Sequence, residues 1–495
     1  MDPLTAQPSP AQPRCPLAAP TSTRRSLVHH PSFRKLWTAA TVSLFGTQLS
    51  QIAIPFIAAV VLKASPGEVG LLTTIEFLPF LLFTLPAGVW VDRFPKKQIL
   101  VVGDLGRAVA LASIPIAYAL GGLTIWQLYL VGFINGVMTV FFDVADQSFL
   151  PAILEREDLV EGNAKLQISQ SSAQILGQPL GGGIVALVSA PAAVVIDAVS
   201  YLGSAVLILW IRIAGGTADR GERGSAAAAS SEAPTTGSST LAGTSLASEA
   251  GAADDERAAS TRPGSGREDP ARASDGSVSG GMRSQIADGL RYILQHEYLG
   301  NIAATTAAAN LFSNIGFAIF PVYVYRELQM SPAAVGTMGG LAGAGVLIGA
   351  LIASRVQARF GVGPTIVVAA ALFGPMNLLI PLATPELALL FLSVAFFLSG
   401  ISNVIYNVSQ VSLRQAITPE HFLGRMNATM RFLVWGTIPI GSLLGAGLSE
   451  VIGVRPTIWI SAILGLFAFL PVFVSKVRTV RTIPTDDPHE AGTPT

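Results

Sequence analysis

The chain has 495 residues, of which 51% are hydrophobic and only 13% are charged. Soluble domains carry about 25% charged residues, so this composition argues against a soluble enzyme and for a membrane protein. Lys and Arg number 31, as do Asp and Glu, and the zero net charge argues against nucleic-acid binding. No lysine follows a glycine and no H-E-x-x-H motif occurs. Neither ATP hydrolysis nor a zinc site is therefore predicted, and we expect no cofactor and no enzymatic activity.

Twelve apolar runs long enough to cross a bilayer follow one another along the chain. The hydrocarbon core of a membrane takes about 20 mainly apolar residues per helix. The predicted spans are residues 36–62, 69–90, 98–120, 124–145, 166–188, 191–211, 300–324, 333–354, 364–383, 387–410, 428–449 and 455–474. Six of them precede and six follow a long polar segment. We therefore expect an all-α membrane protein in which twelve transmembrane helices form two pseudo-symmetric halves of six helices each.

The segments around the two halves differ from them in composition. Residues 213–283 are rich in Ala, Ser, Gly and Thr with scattered charges, and such a segment cannot bury enough apolar area to fold. It is predicted to be a disordered cytoplasmic linker between an N-terminal half (34–212) and a C-terminal half (284–475). Residues 1–33 are predicted to be a disordered tail and residues 476–495 a second tail. The C-terminal half is predicted to begin with an amphipathic helix carrying Ile286, Leu290, Ile293 and Leu294.

The distribution of Lys and Arg predicts the orientation. With the N-terminus inside, the inner segments hold 27 of these residues and the outer loops hold only Lys63, Arg326 and Arg455, while Arg107 lies within the third span. Cytoplasmic loops carry an excess of Lys and Arg. Both termini are therefore expected in the cytoplasm and the protein in the cell membrane.

The two halves resemble each other when Ser148 is aligned with Ser412. Over the 17 pairs from Ser148/Ser412 to Ala164/Ala428, six are identical. A parallel repeat of two six-helix halves is typical of transporters whose halves rock around a site at the middle of the membrane.

Ionisable side chains within the spans are costly and usually functional. Glu76 lies about 10 Å below the outer surface at 1.5 Å per residue, and it is a candidate for coupling proton entry to export. A static, hydrogen-bonded glutamate is the alternative. Asp197 is a second candidate, for which a structural role is equally open. Asp104 and Arg107 are one helical turn apart and are interpreted as a structural ion pair.

The loop after the second span reads Gly88-Val-Trp-Val-Asp92-Arg93-Phe-Pro-Lys96-Lys97. It resembles the major facilitator signature G-x-x-x-D-R-x-x-[RK]-[RK], and its position between spans two and three is that of the signature. The resemblance implies a major facilitator fold with one central cavity. It also implies a conformational latch formed by Gly88, Asp92, Arg93, Lys96 and Lys97 together with Asp143 at the end of span four.

Other stretches resemble the proton-coupled drug antiporters of this family, a branch that includes macrolide and siderophore exporters. Among these stretches are Asp104-Leu-Gly-Arg107 and Ile196-Asp197-Ala-Val-Ser200-Tyr201. In span five, Gln178-Pro179-Leu180-Gly181-Gly182-Gly183 resembles the antiporter motif G-P-x-x-G-G, with Gln178 in place of the first glycine. The resemblance implies export. Pro179, Gly182 and Gly183 would permit a helix bend and close helix contact.

Polar residues recur at helical spacing in several spans. They are Thr47 and Gln51, Asn135 and Thr139, Gln174 and Gln178, Asn310 and Asn314, and Asn403 and Asn407. In the resembled fold, spans one, four, seven and ten surround the cavity, so these residues are interpreted as cavity lining. Bridging between helices is the alternative. A cavity of amides and hydroxyls suits a bulky amphipathic organic molecule.

The expected function is therefore export of hydrophobic or amphipathic small molecules, such as drugs, macrolides or siderophore-like compounds. Proton antiport with alternating access would drive it. The expected partners are the substrate, protons and the lipid bilayer, without nucleic acid, and we expect a monomer. Two alternatives remain open at this point. One is an importer or facilitator of the same fold, and the other is a lysophospholipid flippase or membrane receptor.

Overall fold

A computed structural model describes residue 27 and residues 30–91, 93–154, 158–211 and 291–481. The predicted linker lies outside these residues, as do most of the two predicted tails. Asp92 of the predicted latch and Ile286 and Leu290 of the predicted amphipathic helix also lie outside them.

Six long helices form the N-terminal half. They are α1 (Pro31–Val61), α2 (Pro66–Val91), α3 (Lys96–Ala119), α4 (Ile125–Ile153), α5 (159–188) and α6 (Ala190–Leu209). The last turn of α1, Ile57–Val61, is π-helical. α5 consists of Leu159–Ser172, a π-helical turn at Ala173–Gly177 and Gln178–Val188.

Six more helices form the C-terminal half. They are α7 (Leu299–Glu327), α8 (Pro332–Phe360), α9 (Val362–Leu382), α10 (Ala388–Ile417), α11 (Glu420–Ile452) and α12 (Val454–Val474). α7 is interrupted after Phe317 and ends in a π-helical turn at Tyr323–Glu327. The described residues contain no β-strand, so the part of the chain that the structure describes is all-α, as predicted.

Eleven of the described helices are long and apolar enough to cross a membrane. α5 is not among them, because glutamines interrupt its apolar sequence at Gln167, Gln170, Gln174 and Gln178. At 1.5 Å per residue, its 30 residues still extend about 45 Å. α5 packs between α1 and α8, and Gln170, Gln174 and Gln178 are half-buried while Gln167 is exposed.

The same packing pattern occurs in both halves. α1 packs on α5 and α6 as α7 packs on α11 and α12, while α4 contacts α2 and α3 as α10 contacts α8 and α9. Individual contacts repeat as well. A Cβ atom at Gly136 would lie 2.6 Å from the carbonyl oxygen of Glu76, and one at Gly400 would lie 2.8 Å from that of Ala342. Gly136 of α4 is therefore equivalent to Gly400 of α10, and Glu76 of α2 is equivalent to Ala342 of α8.

The halves meet along two seams, α2 with α11 and α5 with α8. The end of the molecule at which α1 begins and α6 ends is called the linker end, and the other end is called the opposite end. At the opposite end, one buried apolar cluster joins both halves, since it contains Ile57 and Leu72 as well as Tyr323 and Met338. Toward the linker end, each half has a buried cluster of its own. The described residues therefore pack the two halves together at the opposite end, while the buried clusters toward the linker end are separate.

Candidate functional site

Glu76 lies deep in the membrane-spanning part of α2, about 15 Å along the helix from Pro66. Gly132 and Gly136 of α4 allow α2 to come this close, because a Cβ atom at Gly132 would lie 2.9 Å from Cγ of Glu76. The side chain is half-buried and makes no hydrogen bond or ion pair with any residue that the structure describes. An isolated carboxyl group at this depth is costly to keep ionised, which makes Glu76 a candidate for carrying a proton.

Asp104 and Arg107 form a buried ion pair on α3, with 2.6 Å between the carboxylate and guanidinium groups. The guanidinium also lies between two aromatic rings. Its Cζ atom is 4.2 Å from the ring centre of Phe142 on α4 and 4.4 Å from that of Tyr201 on α6. Stacking of this kind suits the planar guanidinium better than a lysine ammonium. The pair therefore ties α3 to both neighbouring helices.

Three further carboxyl groups surround this pair. We call Asp104, Asp143, Asp146 and Asp197 the acidic cluster. Asp143, Asp146 and Asp197 all interact electrostatically with Arg107. Asp197 is buried and accepts hydrogen bonds from Ser50 of α1 and, at 3.2 Å, from Ser200 of α6. These acids lie on three different helices, so no pattern within one helix could have brought Asp146 and Asp197 together with Arg107.

The polar residues predicted to line the cavity fall into two groups. Some are used in contacts within the bundle: Thr47 bonds to the Tyr201 hydroxyl at 2.8 Å, and the buried Thr139 donates to the carbonyl of Asn135. Asn314 is also buried. The half-buried members are Gln51, Asn135, Gln174, Gln178, Asn310, Asn403 and Asn407. The set therefore includes both residues that bond within the bundle and half-buried residues, for which cavity lining stays a prediction.

A polar group in α10 was not among the predicted site residues. Gln410 donates to the side-chain oxygen of Asn407 at 2.9 Å, and the buried Arg414 lies 3.4 Å from Asn427 of α11. Gln410 and Arg414 follow Asn403 and Asn407 at intervals of three and four residues. Extending that stripe toward the end of the helix would have found them.

The residues of the predicted helix-bend motif lie in the α5–α8 seam. A Cβ atom at Gly182 would lie 2.9 Å from Cα of Gly336, so the two helix backbones almost touch there. The ring of Pro179, two residues after the π-helical turn of α5, packs against Gly340. A Cβ atom at Gly183, in contrast, would have no atom within 4 Å.

The loop of the predicted latch is attached to α6. The ammonium group of Lys97 donates to the carbonyls of Leu209 and Ile211, both at 2.8 Å. Cations near the last carbonyls of a helix stabilise its C-terminus. Arg93 is exposed, Lys96 is half-buried, and a Cβ atom at Gly88 would contact nothing within 4 Å. Asp143 lies within the acidic cluster.

Contacts between the halves close the opposite end. The two π-helical turns at the ends of α1 and α7 pack against each other, and Nε of Arg326 donates to the carbonyl of Ala59 at 2.6 Å. The rings of Phe56 and Tyr325 meet edge to face, 5.0 Å between centres. In the α2–α11 seam, the backbone N–H of Gly67 donates to the Glu450 carboxylate at 2.7 Å. Closure therefore combines aromatic packing with charge-assisted hydrogen bonds.

Comparisons with known proteins agree with this architecture. The family model of the Major Facilitator Superfamily matches residues 36–260 and 302–494. Macrolide efflux protein A of Streptococcus pyogenes is 26% identical over 184 residues, which cover 37% of this chain and 44% of that protein. In that alignment, the chain spans less than half of the relative's length. The multidrug efflux pump Tap of Mycolicibacterium fortuitum is 22% identical over 474 residues, covering 92% of this chain and 98% of that pump.

Solved structures share the fold. A bacterial homologue of the iron transporter ferroportin in an inward-facing state gives a TM-score of 0.64 at 14% identity, with 90% of this chain and 98% of that chain covered. A bacterial homologue of the human lysosomal transporter Spinster, inward-facing and unoccupied, gives a TM-score of 0.58 at 13% identity, with 90% of this chain and 97% of that chain covered. At these identities the likeness concerns the fold alone.

Proposed function

Because the chain belongs to the Major Facilitator Superfamily of transporters, we propose that it exports hydrophobic or amphipathic small molecules by proton antiport. The printed names of two relatives, a macrolide efflux protein and a multidrug efflux pump, support export and this class of substrate. The half-buried amides and hydroxyls between the two halves suit molecules that combine an apolar body with hydrogen-bonding groups.

The two halves alternate between access from one side of the membrane and access from the other. Supporting observations are the repeated packing of the halves and the contrast between a closed opposite end and separate clusters toward the linker end. The excess of Lys and Arg in the loops of the linker end supports a cytoplasmic location for that end. The arrangement described here is then the state that receives substrate from the cytoplasmic side.

Glu76 carries the proton. The observation that supports this role best is a half-buried carboxyl group deep in α2 that no described residue holds by a hydrogen bond or ion pair. Asp197 is less suited, because Ser50 and Ser200 hold it in the contact between α1 and α6. Protonation of Glu76 from the opposite end and release at the linker end drive the return of the empty transporter.

The test is the variant Glu76→Gln in everted membrane vesicles with an imposed proton gradient and the amphipathic dye rhodamine 6G. We expect proton-driven uptake of the dye into the vesicles to fall by about tenfold or more, because the amide cannot exchange a proton. Glu386→Gln is the matched control, since Glu386 is an exposed glutamate in the loop before α10. Unchanged uptake in Glu76→Gln would remove Glu76 from the coupling step. Dye movement out of the wild-type vesicles would indicate an importer.

A further inference from the structure

The chain enters each half through the same set of three residues. They are Leu27, His30 and Phe33 around the start of α1, and Ile293, His296 and Leu299 around the start of α7. The apolar members are all buried, in the cluster of their own half at the linker end. Each histidine also lies at the same distance along the chain from the π-helical turn that ends its helix. We call these two sets the entry triplets, and they are equivalent within the repeat.

The histidine of each entry triplet binds backbone N–H groups at the start of the following helix. Nδ1 of His30 accepts from the N–H of Phe33 at 3.2 Å. Nδ1 of His296 accepts from the N–H of Tyr298 at 3.2 Å and from that of Leu299 at 3.4 Å. The first N–H groups of a helix have no partner within the helix. These bonds therefore cap α1 and α7.

Histidine is an unusual residue in this role, and it is the one that titrates near neutral pH. Ser, Thr, Asp and Asn are the preferred capping residues, and Ser331 caps α8 by accepting from the N–H of Ala334 at 3.2 Å. An imidazole accepts a hydrogen bond at Nδ1 only while that nitrogen is unprotonated. Protonation turns the acceptor into a donor and places a positive charge at the positive end of the helix dipole. Only the neutral forms of His30 and His296 can therefore act as caps.

The surroundings of His296 favour its neutral form. Its ring lies 5.9 Å from the ring centres of Tyr292 and Tyr298. The carboxylate of the neighbouring Glu297 is paired, at 2.6 Å, with Lys476 from the turn that follows α12. Burial lowers the pKa of His296, and Glu297 raises it by a smaller amount. The folded protein therefore resists protonation of this imidazole.

The charged groups near the first entry triplet lie on α1 and α5. His30 is exposed, and Arg34, one turn further along α1, would repel an imidazolium. Glu161 of α5 accepts from the N–H of Leu27 at 3.4 Å and is paired with Lys165 at 3.2 Å. The carboxylate of Glu161 thus holds the triplet on α5 through the backbone, while a lysine already neutralises its charge.

The direction of this effect sets the pH range. The ordinary pKa of a histidine is about 6.5. Because the pKa of His296 is lower than that in the folded protein, the stabilisation by its cap is complete above about pH 6.5. It is lost as the pH falls through the lowered pKa. Neutral pH therefore keeps the cap, and acidification removes it.

The capped helices connect the two ends of the molecule. Their starts belong to the entry triplets at the linker end. Their π-helical ends pack against each other at the opposite end, where Nε of Arg326 donates to the carbonyl of Ala59. Rigid helices carry coupling between distant sites. Loss of the caps frees the first turns, which carry the buried Phe33 and Leu299, and so weakens this connection in both halves together.

We propose that His30 and His296 are a pair of pH-sensitive caps through which acidification of the cytoplasm loosens the starts of α1 and α7 and slows transport. This inference rests on the proposed function, because proton antiport delivers protons to the side on which both histidines lie. When these protons accumulate, the caps are released and turnover falls. The result is negative feedback that protects the cytoplasm from further acidification.

Hydrogen–deuterium exchange of the full chain in lipid nanodiscs measures the caps directly. The double variant His30→Asn/His296→Asn keeps capping side chains that do not titrate, and His30→Ala/His296→Ala has no cap at any pH. At about pH 7.5, the amides at the starts of α1 and α7 should exchange alike in the wild type and the Asn variant, and about fivefold faster in the Ala variant. At about pH 5, the wild type should exchange as fast as the Ala variant. Proteins are compared at the same pH, so the intrinsic pH dependence of exchange cancels.

Uptake of rhodamine 6G by everted vesicles measures the effect on transport, because the medium then faces the linker end. The pH difference across the membrane is kept the same at both medium pH values. We expect equal initial rates for the wild type and the Asn variant at about pH 7.5, and an about threefold lower rate for the wild type at about pH 5. Effects of pH on Glu76 and on the dye are common to both proteins and cancel in their ratio.

Two outcomes overturn the proposal. The first is equal exchange of the wild type and the Asn variant at about pH 5, which would show that protonation does not release the caps. The second is faster exchange of the wild type at that pH with no difference in uptake, which would show that the caps do not regulate transport. If the double variant does not fold, His296→Asn alone should protect only the start of α7. Wild-type vesicles that take up no dye at neutral pH would instead overturn the proposed function and the feedback with it, while exchange still decides whether the caps respond to pH.

Discussion

Arg107 is the cation that the four carboxyl groups of the acidic cluster share, and the rings of Phe142 and Tyr201 hold its guanidinium group. A buried charge without a partner is far more costly than an exposed one. The arrangement is unequal, because removing the cation takes the same positive charge away from all four carboxyl groups. Removing one carboxyl group leaves Arg107 with the others.

Arg107→Met should therefore destabilise the protein far more than Asp104→Asn. Removing one partner of a buried ion pair costs about 3–5 kcal/mol, and this applies to the arginine variant. Thermal unfolding in detergent measures the difference. The control is Glu297→Gln, which removes an ion pair of the same 2.6 Å length, to Lys476, between exposed side chains. That variant should melt like the wild type. An Asp104→Asn variant that melts as low as Arg107→Met would contradict the shared-cation interpretation.

Among the elements, α5 and α8 are in contact because glycines remove the side chains between their backbones. In a membrane, small residues allow the close packing that drives helix association. The Cβ atom of Gly336→Ala would clash with the carbonyl oxygen of Gln178 and lie 3.0 Å from Cα of Gly182. Both neighbours are backbone atoms of the other half, so relief requires the seam to separate.

We expect Gly336→Ala to weaken closure of the opposite end by about 1–3 kcal/mol, the usual cost of overpacking. The labelling rate of a cysteine placed at Met338, a buried residue of the cluster that joins both halves, reports on this change in a Cys15→Ser background and should rise when the seam opens. Gly183→Ala is the control, since its Cβ atom would meet no atom within 4 Å and alanine favours a helix. An equal effect of both substitutions would show that helix propensity, not contact across the seam, is responsible.

At the scale of the whole molecule, closure at the opposite end depends on a few polar contacts between the halves. The hydrogen bond from Arg326 to the carbonyl of Ala59 joins α7 to α1, and that from Gly67 to the Glu450 carboxylate joins α2 to α11. In the proposed alternating-access cycle the halves move as units, so a change in one of these contacts shifts the equilibrium between states.

Replacing Arg326 by Ala should therefore populate a state that is open at the opposite end. A hydrogen bond to a charged group contributes about 1.5–3 kcal/mol, which corresponds to a shift of about tenfold or more in the populations. Spin labels at Lys63 and Gln329, in a Cys15→Ser background, measure the distance between the halves at this end. The exposed Arg359 at the linker end provides the control, Arg359→Ala. An unchanged distance distribution in Arg326→Ala would refute this role.

Much of the fold follows from local sequence. The apolar runs have the length that a bilayer requires, and six identical pairs around Ser148/Ser412 reveal the repeat. Local sequence does not decide which residues line a cavity, because the same amide spacing serves bridging and lining. Thr47 illustrates this, since its hydroxyl is bonded to Tyr201. Whether a polar side chain faces a neighbouring helix or the interior depends on helix rotation, which periodicity alone does not fix.

The sequence by itself determined a membrane protein of long helices in two related halves, with few charges inside the spans. These properties follow from composition, length and spacing along one chain. Only the tertiary structure decided that Asp146 and Asp197 join Arg107, and that the opposite end is closed. These features depend on which faces of distant helices meet. That outcome is set by packing over the whole bundle, in which a glycine or tryptophan at one position changes the fit of two halves.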